Sequence, residues 1–294
     1  MKKQTHKKQL MAGIVLLAVL FGAACKKDVN TNESGNKDQE TPATAVNAVN
    51  SDINLNWENR ANGSTFTNSQ AAADFGNISG WQESRAFVTN GKDGSNGLRV
   101  TLLPNALSGA GGLIGNVNLS QGTAYEVDYD VKFHSNFNFS RGGKIGFGFA
   151  IGEGNTGGDP GWDGNGGTLR LMWYSPSADR VFFQPYVYHK DQPTNFGDTY
   201  TKRFPASGSL QKGVWYHVHM YVKSNTGSST NGHAQIIING QTILDNDIRW
   251  TTNDSQRLIN KLTFHTFRGG SQEEWKANTT DYIYYDNLVV NKIN

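Results

Sequence analysis

The chain has 294 residues, a formal net charge of +2, one cysteine and 11% aromatic residues. One cysteine excludes an internal disulfide framework, so a packed core must hold the fold. Lys2, Lys3, Lys7 and Lys8 stand in an acid-free leader, and the rest of the chain carries −2. That balance gives no basis for a nucleic-acid partner.

The leader reads MKKQTHKKQLMAGIVLLAVLFGAACKK. Basic residues precede an apolar run, Met11 to Ala24, that is short for a membrane span and right for a signal peptide over residues 1–24. Gly22, Ala23 and Ala24 precede Cys25. This pattern resembles a bacterial lipoprotein signal with Cys25 lipidated, although Gly22 stands where such signals usually carry leucine. A plain secretory signal is the alternative. Either way the protein is exported, as an outer-membrane or cell-surface lipoprotein or else as a secreted or periplasmic protein. Residues 25–52 have almost no large apolar side chains and read as a disordered tether. Residues 53–294 suffice for one all-β domain, expected as a monomer.

Within that domain, alternating runs recur between Gly, Asn, Asp and Ser clusters. They are 98–104, 123–133, 144–152, 168–174, 180–189, 215–223, 233–240, 261–267 and 281–290. Period-two alternation with β-branched and aromatic residues predicts strands. No long helical pattern competes, and 253–259 predicts a short helical turn. Many strands without a βαβ rhythm predict an antiparallel β-sandwich or jelly roll with a substrate groove on one sheet.

TLRLMWYSPSADRVFFQPYVYHK (168–190) predicts two strands around a turn near Ser175–Asp179, with Pro176 in the turn. Thr168, Arg170 and Met172 share one face, and Leu169, Leu171 and Trp173 the other. A register pairing Arg170 with Tyr186 sets Thr168 beside Tyr188, with Gln184 on the same face. A slip of one residue would flip one set.

These are groups that β-elimination of a uronic acid polymer requires. The substrate carboxylate must be neutralised to acidify the C5 proton, which Arg170 can do with help from Gln184. A base must take that proton and an acid must protonate the leaving oxygen; lysine and tyrosine serve both roles once their pKa values approach neutrality. FSRGGKIGFGF (139–149) places Lys144 in an otherwise alternating strand. A cation near Arg170 is pushed toward its neutral form.

GGK (142–144), TLRLMW (168–173), YVY (186–188), FHTFRGGSQEEW (264–275) and YIYYDN (282–287) together resemble polysaccharide lyase family 14, over roughly residues 125–290. That family holds alginate and glucuronate-polymer lyases on a β-jelly roll, and the family 20 glucuronan lyases are similar. The resemblance implies a catalytic lysine at Lys144, the Ser-x-Arg pair at Thr168 and Arg170, and the Tyr-x-Tyr pair at Tyr186 and Tyr188. Thr168 replaces the serine, Lys-Ile-Gly-Phe replaces Lys-Leu-Pro-Gly, and Arg268 stands where an aromatic is expected. Arg141, His265 and Arg268 are further candidates for substrate contact, Arg141 as a rim residue. The implied partner is an acidic polyuronate, with no cofactor.

Other readings stand beside this one. A solvated strand lysine and groove-packing tyrosines would suit a non-catalytic carbohydrate-binding lipoprotein on the same fold. A glycoside hydrolase would need two facing carboxylates, and the polar face carries none. His217 and His219 are spaced to share a metal, but no third ligand is near in sequence, so no metal is expected. His189 is expected to point away from the tyrosines. Residues 153–167 form a glycine-rich loop, read as a flexible groove wall or lid, with calcium binding through Glu153, Asp159 and Asp163 as the alternative.

Overall fold

The structure, a computed structural model, describes residues 52–294. The leader, Cys25 and most of the tether lie outside the described residues. In chain order the elements are β1 (Ile53–Leu55), α1 (Asn68–Phe75), β2 (Ile78–Ser79), β3 (Ala86–Asn90), β4 (Asn96–Leu102), α2 (Ser108–Gly111), β5 (Leu113–Gly122), β6 (Ala124–Phe133), β7 (Gly142–Lys144), β8 (Phe147–Gly152), β9 (Gly166–Ser177), β10 (Arg180–Tyr188), β11 (Trp215–Lys223), β12 (Gly232–Ile238), β13 (Gln241–Ile248), β14 (Ile259–Arg268) and β15 (Asp281–Lys292). The turn expected near 253–259 is a short 3-10 segment, Asp254–Gln256.

An eight-stranded sheet runs β13-β12-β11-β6-β15-β4-β3, with β1 on β15; a seven-stranded sheet runs β10-β9-β7-β14-β5-β2, with β8 on β14 and β9. The paired strands are antiparallel, as in a jelly roll. Apolar residues at alternate positions seal the sheets together. Phe147 and Phe149 of β8 meet Tyr129 and Tyr125 of β6 at 5.3 and 5.9 Å between ring centroids, and Trp173 meets Phe133 at 5.7 Å. Phe147 stacks on Phe264 at 4.4 Å. Burying each such ring contributes about 2 kcal/mol.

The run 144–152 is not one strand. It breaks at Gly146, whose φ of +77° suits glycine, and a Cβ there would lie 2.5 Å from the Tyr129 hydroxyl. The alternation survives the break, so Phe147, Phe149 and Ile151 enter the core while Gly148 and Ala150 face the other way. The hairpin turn also differs from expectation. β9 extends through Pro176 to Ser177, and Ala178 and Asp179 make the turn. α1 starts at a capping box: Thr67 Oγ1 accepts from Gln70 N at 3.2 Å, and Gln70 Oε1 accepts from Thr67 N at 2.9 Å.

Candidate active site

The β9–β10 register is the one that unites the polar residues: Arg170 faces Tyr186, Thr168 faces Tyr188 and Met172 faces Gln184. Leu169, Leu171, Trp173, Phe183 and Val187 take the opposite face and lie in the core. β7 sets Lys144 opposite Met172 on one side and Phe267 of β14 on the other. His265, two residues before Phe267, shares that face. Lys144, Arg170, Gln184 and His265 are all buried although they face away from the core. Walls therefore stand above them, and the face is a groove. Its central strand offers only Gly148 and Ala150; a Cβ on Gly148 would meet the Leu169 carbonyl oxygen at 2.3 Å.

Lys144 Nζ lies 3.5 Å from the centroid of the Tyr186 ring. It makes no hydrogen bond or ion pair among the described residues. Burial and then the Arg170 charge hold its pKa well below the ordinary lysine value, toward the free amine. Arg170 lies with its Cζ 5.5 and 5.3 Å from the Tyr186 and Tyr188 rings. Its Nε and Nη2 are buried without hydrogen-bond partners. Buried donors are normally satisfied, so this idle Nε–Nη2 edge has the geometry to receive an anion.

His265 Nε2 lies 3.3 Å from Asn116 Oδ1, and Nδ1 is buried and unpartnered. Burial, then Arg170 and Lys144, push its pKa down to about 3, so the imidazole is neutral at physiological pH. Burial, then Tyr188, push the Tyr186 phenol far above its ordinary value and keep it protonated. Gln184 Nε2 donates to Met172 Sδ at 3.1 Å.

Two expected groove residues serve the glycine-rich loop as well. Thr168 Oγ1 donates to Asn155 O at 2.9 Å, and the Tyr188 hydroxyl accepts from Gly158 N at 3.1 Å. The loop is further held by Gln192, whose Oε1 accepts from Gly161 N at 3.2 Å and whose carbonyl accepts from Trp162 Nε1 at 2.8 Å. It is thus a pinned wall rather than a free lid. Thr168 spends its hydroxyl proton on that wall and keeps its oxygen lone pairs to accept a hydrogen bond.

Arg268, a candidate for substrate contact by its motif, is placed elsewhere by the fold. It lies on the core side of β14, ion-paired with Asp281, and donates to Asn138 O at 3.1 Å. Its parity is that of Phe264 and Thr266, both core-facing, so it does not reach the groove. Asp281→Asn should strand a buried guanidinium and destabilise the fold by about 3–5 kcal/mol, measurable by urea unfolding. Arg141 lies at the edge, 5.1 Å over the Tyr174 ring and donating to Pro176 O at 3.2 Å. It lines a cleft of about 620 Å³ that contains neither Lys144 nor Arg170. A separate cleft of about 290 Å³ is lined by His265, Asn116, Thr168 and Lys261.

His189 points away from the tyrosines, with Nε2 3.4 Å from Asp198 Oδ2. His217 and His219 lie on the other sheet, each against Asp128, at 3.3 and 3.0 Å. Met172 and Asn116 belong to the groove and were not singled out as site residues. Met172 shares the parity of Arg170, which is a readable signal. Asn116 becomes visible only through the β5–β14 pairing, which sets Ile114 opposite His265.

Fold and groove together define a β-sandwich with an unpartnered guanidinium edge beside a buried amine. The polysaccharide lyase 14 family model matches residues 108–288. A structure of the alginate lyase Aly36B, a mutant with a lysine and a tyrosine changed to alanine, bound to alginate tetrasaccharide, superposes with a TM-score of 0.81 at 64% identity. The match covers 84% of this chain and 99% of that one. The PL-14 alginate lyase of Aplysia kurodai shares the fold, with a TM-score of 0.65 at 22% identity over 83% of this chain and 100% of that one. The exolysin of Paramecium bursaria Chlorella virus 1 is 25% identical over 190 residues, 56% of this chain, and the chain spans only 29% of that relative's length. This chain belongs to the polysaccharide lyase 14 family.

Proposed function

We propose that the protein is a polysaccharide lyase that cuts a uronic acid polymer of the alginate type by β-elimination. The unpartnered, buried guanidinium of Arg170 beside the Lys144 amine carries this reading. Arg170 takes the substrate carboxylate on its idle Nε and Nη2 edge, and the neutral His265 adds a hydrogen bond through Nδ1. Lys144, as free amine, removes the C5 proton. Electrons from the C5–H bond form the C4–C5 double bond, and the C4–O bond to the leaving sugar breaks. The ammonium formed rests over the Tyr186 ring, whose face favours a cation. It returns the proton to the leaving oxygen as that bond breaks. Tyr186, kept protonated, orients the sugar and stabilises the charge on Lys144.

The altered lysine and tyrosine of Aly36B stand at the same spacing along their chain as Lys144 and Tyr186, which supports these roles. In a second Aly36B structure, with alginate trisaccharide, the altered lysine and methionine match the spacing of Lys144 and Met172. The leader pattern supports export, with Cys25 as the lipid anchor. Radiolabelled fatty acid should enter the wild-type protein and not Cys25→Ala.

The test is ultraviolet absorbance of the unsaturated uronate product on polymannuronate, polyguluronate and glucuronan. Absorbance should rise on an alginate block. No rise on any uronate, with binding retained, would make the protein a carbohydrate-binding module instead. The kcat/KM should fall as pH drops through the depressed Lys144 pKa, because the ammonium cannot take a proton, and should be fully developed well below pH 10.

A further inference from the structure

A second set of cations lies outside the groove. On the outward face of the eight-stranded sheet, Phe87 faces Arg99, Arg99 faces Tyr284, Tyr284 faces Lys132 and Lys132 faces Trp215. Five adjacent strands, β3, β4, β15, β6 and β11, thus alternate aromatic and cationic residues along one line. Arg99 Cζ sits 4.7 Å from the Phe87 centroid and 4.8 Å from that of Tyr282. Lys132 Nζ sits 4.4 Å from Trp215 and 4.9 Å from Tyr284. The row is partly exposed.

Neither cation has a hydrogen bond or ion pair among the described residues, and Arg99 Nε is buried without a partner. The neighbouring carboxylates are engaged elsewhere: Asp130 pairs with Lys92 and Asp128 with His217 and His219. Strand spacing makes the row roughly 19 Å long, with aromatic residues roughly 10 Å apart. That is the scale of an extended disaccharide repeat. Rings suit sugar faces, and unmatched cations suit carboxylates recurring along a chain. Similar pairs continue toward the groove. Lys212 lies 5.6 Å over Phe139 and Arg141 5.1 Å over Tyr174, and both cations line the 620 Å³ edge cleft. Tyr174 shares the groove face of Arg170 and Met172.

We propose that the Phe87–Arg99–Tyr284–Lys132–Trp215 row is a second binding site for acidic polysaccharide, holding one stretch of polymer while another lies in the groove. The polymer's identity rests on the lyase reading; the site rests on the row.

The test is affinity electrophoresis of the protein in alginate gels, in a Lys144→Ala background so the polymer stays intact, with polyglutamate gels as a non-sugar polyanion. Arg99→Gln/Lys132→Gln should weaken retardation by alginate about tenfold. The same pair in the active protein should leave kcat/KM on a trisaccharide, too short to reach both faces, unchanged. Trp215→Ala removes a ring and no charge. It should also weaken retardation, and it decides the matter if the double variant fails to melt cooperatively. Unaltered retardation overturns the second site, and so does an equal loss in polyglutamate, which would indicate charge alone. If no uronate is turned over but retardation is lost in the variants, the lyase reading fails and the second site stands.

Discussion

Lys144→Ala lowers turnover by about 10⁴-fold, the upper range for removal of a general acid–base group, while alginate tetrasaccharide still binds in calorimetry. The separation follows from the site. In the proposed mechanism the carboxylate receptor is Arg170, whose idle edge does not involve Lys144, whereas the amine acts only on the C5 proton and the leaving oxygen. A parallel variant, Lys144→Met, excludes misfolding as the cause. A buried lysine with a depressed pKa contributes its full stability only above the unfolded value, near pH ~10.4. As pH falls, the unfolded chain takes up a proton that the folded chain resists, so stability is lost until the folded pKa is passed. At pH 7, Lys144→Met therefore melts higher than the wild type, by about 2–4 °C for each kcal/mol recovered. The gap closes toward pH 10. Lower turnover with a higher Tm is the signature of a group kept for chemistry at the expense of the fold. A lower Tm at pH 7 would show that Lys144 is a structural residue.

Parity made the centre of this site legible. Thr168, Arg170 and Met172 alternate with Leu169, Leu171 and Trp173, so one choice of register fixed which side chains meet, and the observed pairing is that one. The same rule places Arg268 on the core side: it follows Phe267 and shares the parity of Phe264, although its motif makes it a candidate for substrate contact. β1, β2, β3, β5 and β13 fall outside the expected runs. β5, LIGNVNLSQG, alternates, but Gly115 interrupts its inward side and Asn116, Asn118 and Ser120 fill most of its outward side, residues that otherwise signal turns. α1 was missed because an eight-residue helix shows little periodicity, although Thr67 and Gln70 spell a capping box. The break at Gly146 depends on the Tyr129 ring, a contact between sheets that no local pattern displays. Loop anchoring was hidden for the same reason, since the Thr168 hydroxyl and the Tyr188 phenol meet backbone atoms far along the chain.

Arg170→Gln lowers kcat/KM by about 10³-fold, the scale of removing a preorganised donor from developing negative charge. Unlike Lys144→Ala, it also weakens binding. In the Lys144→Ala background, Arg170→Gln should abolish the calorimetric signal with alginate tetrasaccharide. Arg170→Lys restores a charge without the planar fork, so it should recover only part of the loss. The decisive reading is the pH profile. Arg170 is the charge that helps depress the Lys144 pKa, while burial supplies the larger share. Removing the guanidinium lifts that repulsion, so the Lys144 pKa rises and the free amine appears only at higher pH. The acid limb of kcat/KM must therefore move to higher pH in Arg170→Gln and stay near its wild-type position in Arg170→Lys, which keeps a positive charge. A residue that merely packed the groove would lower the rate at every pH and leave the limb where it was. That shift would show carboxylate receptor and base coupled as proposed: one cation draws the substrate in and, together with burial, lowers the pKa of the neighbouring amine.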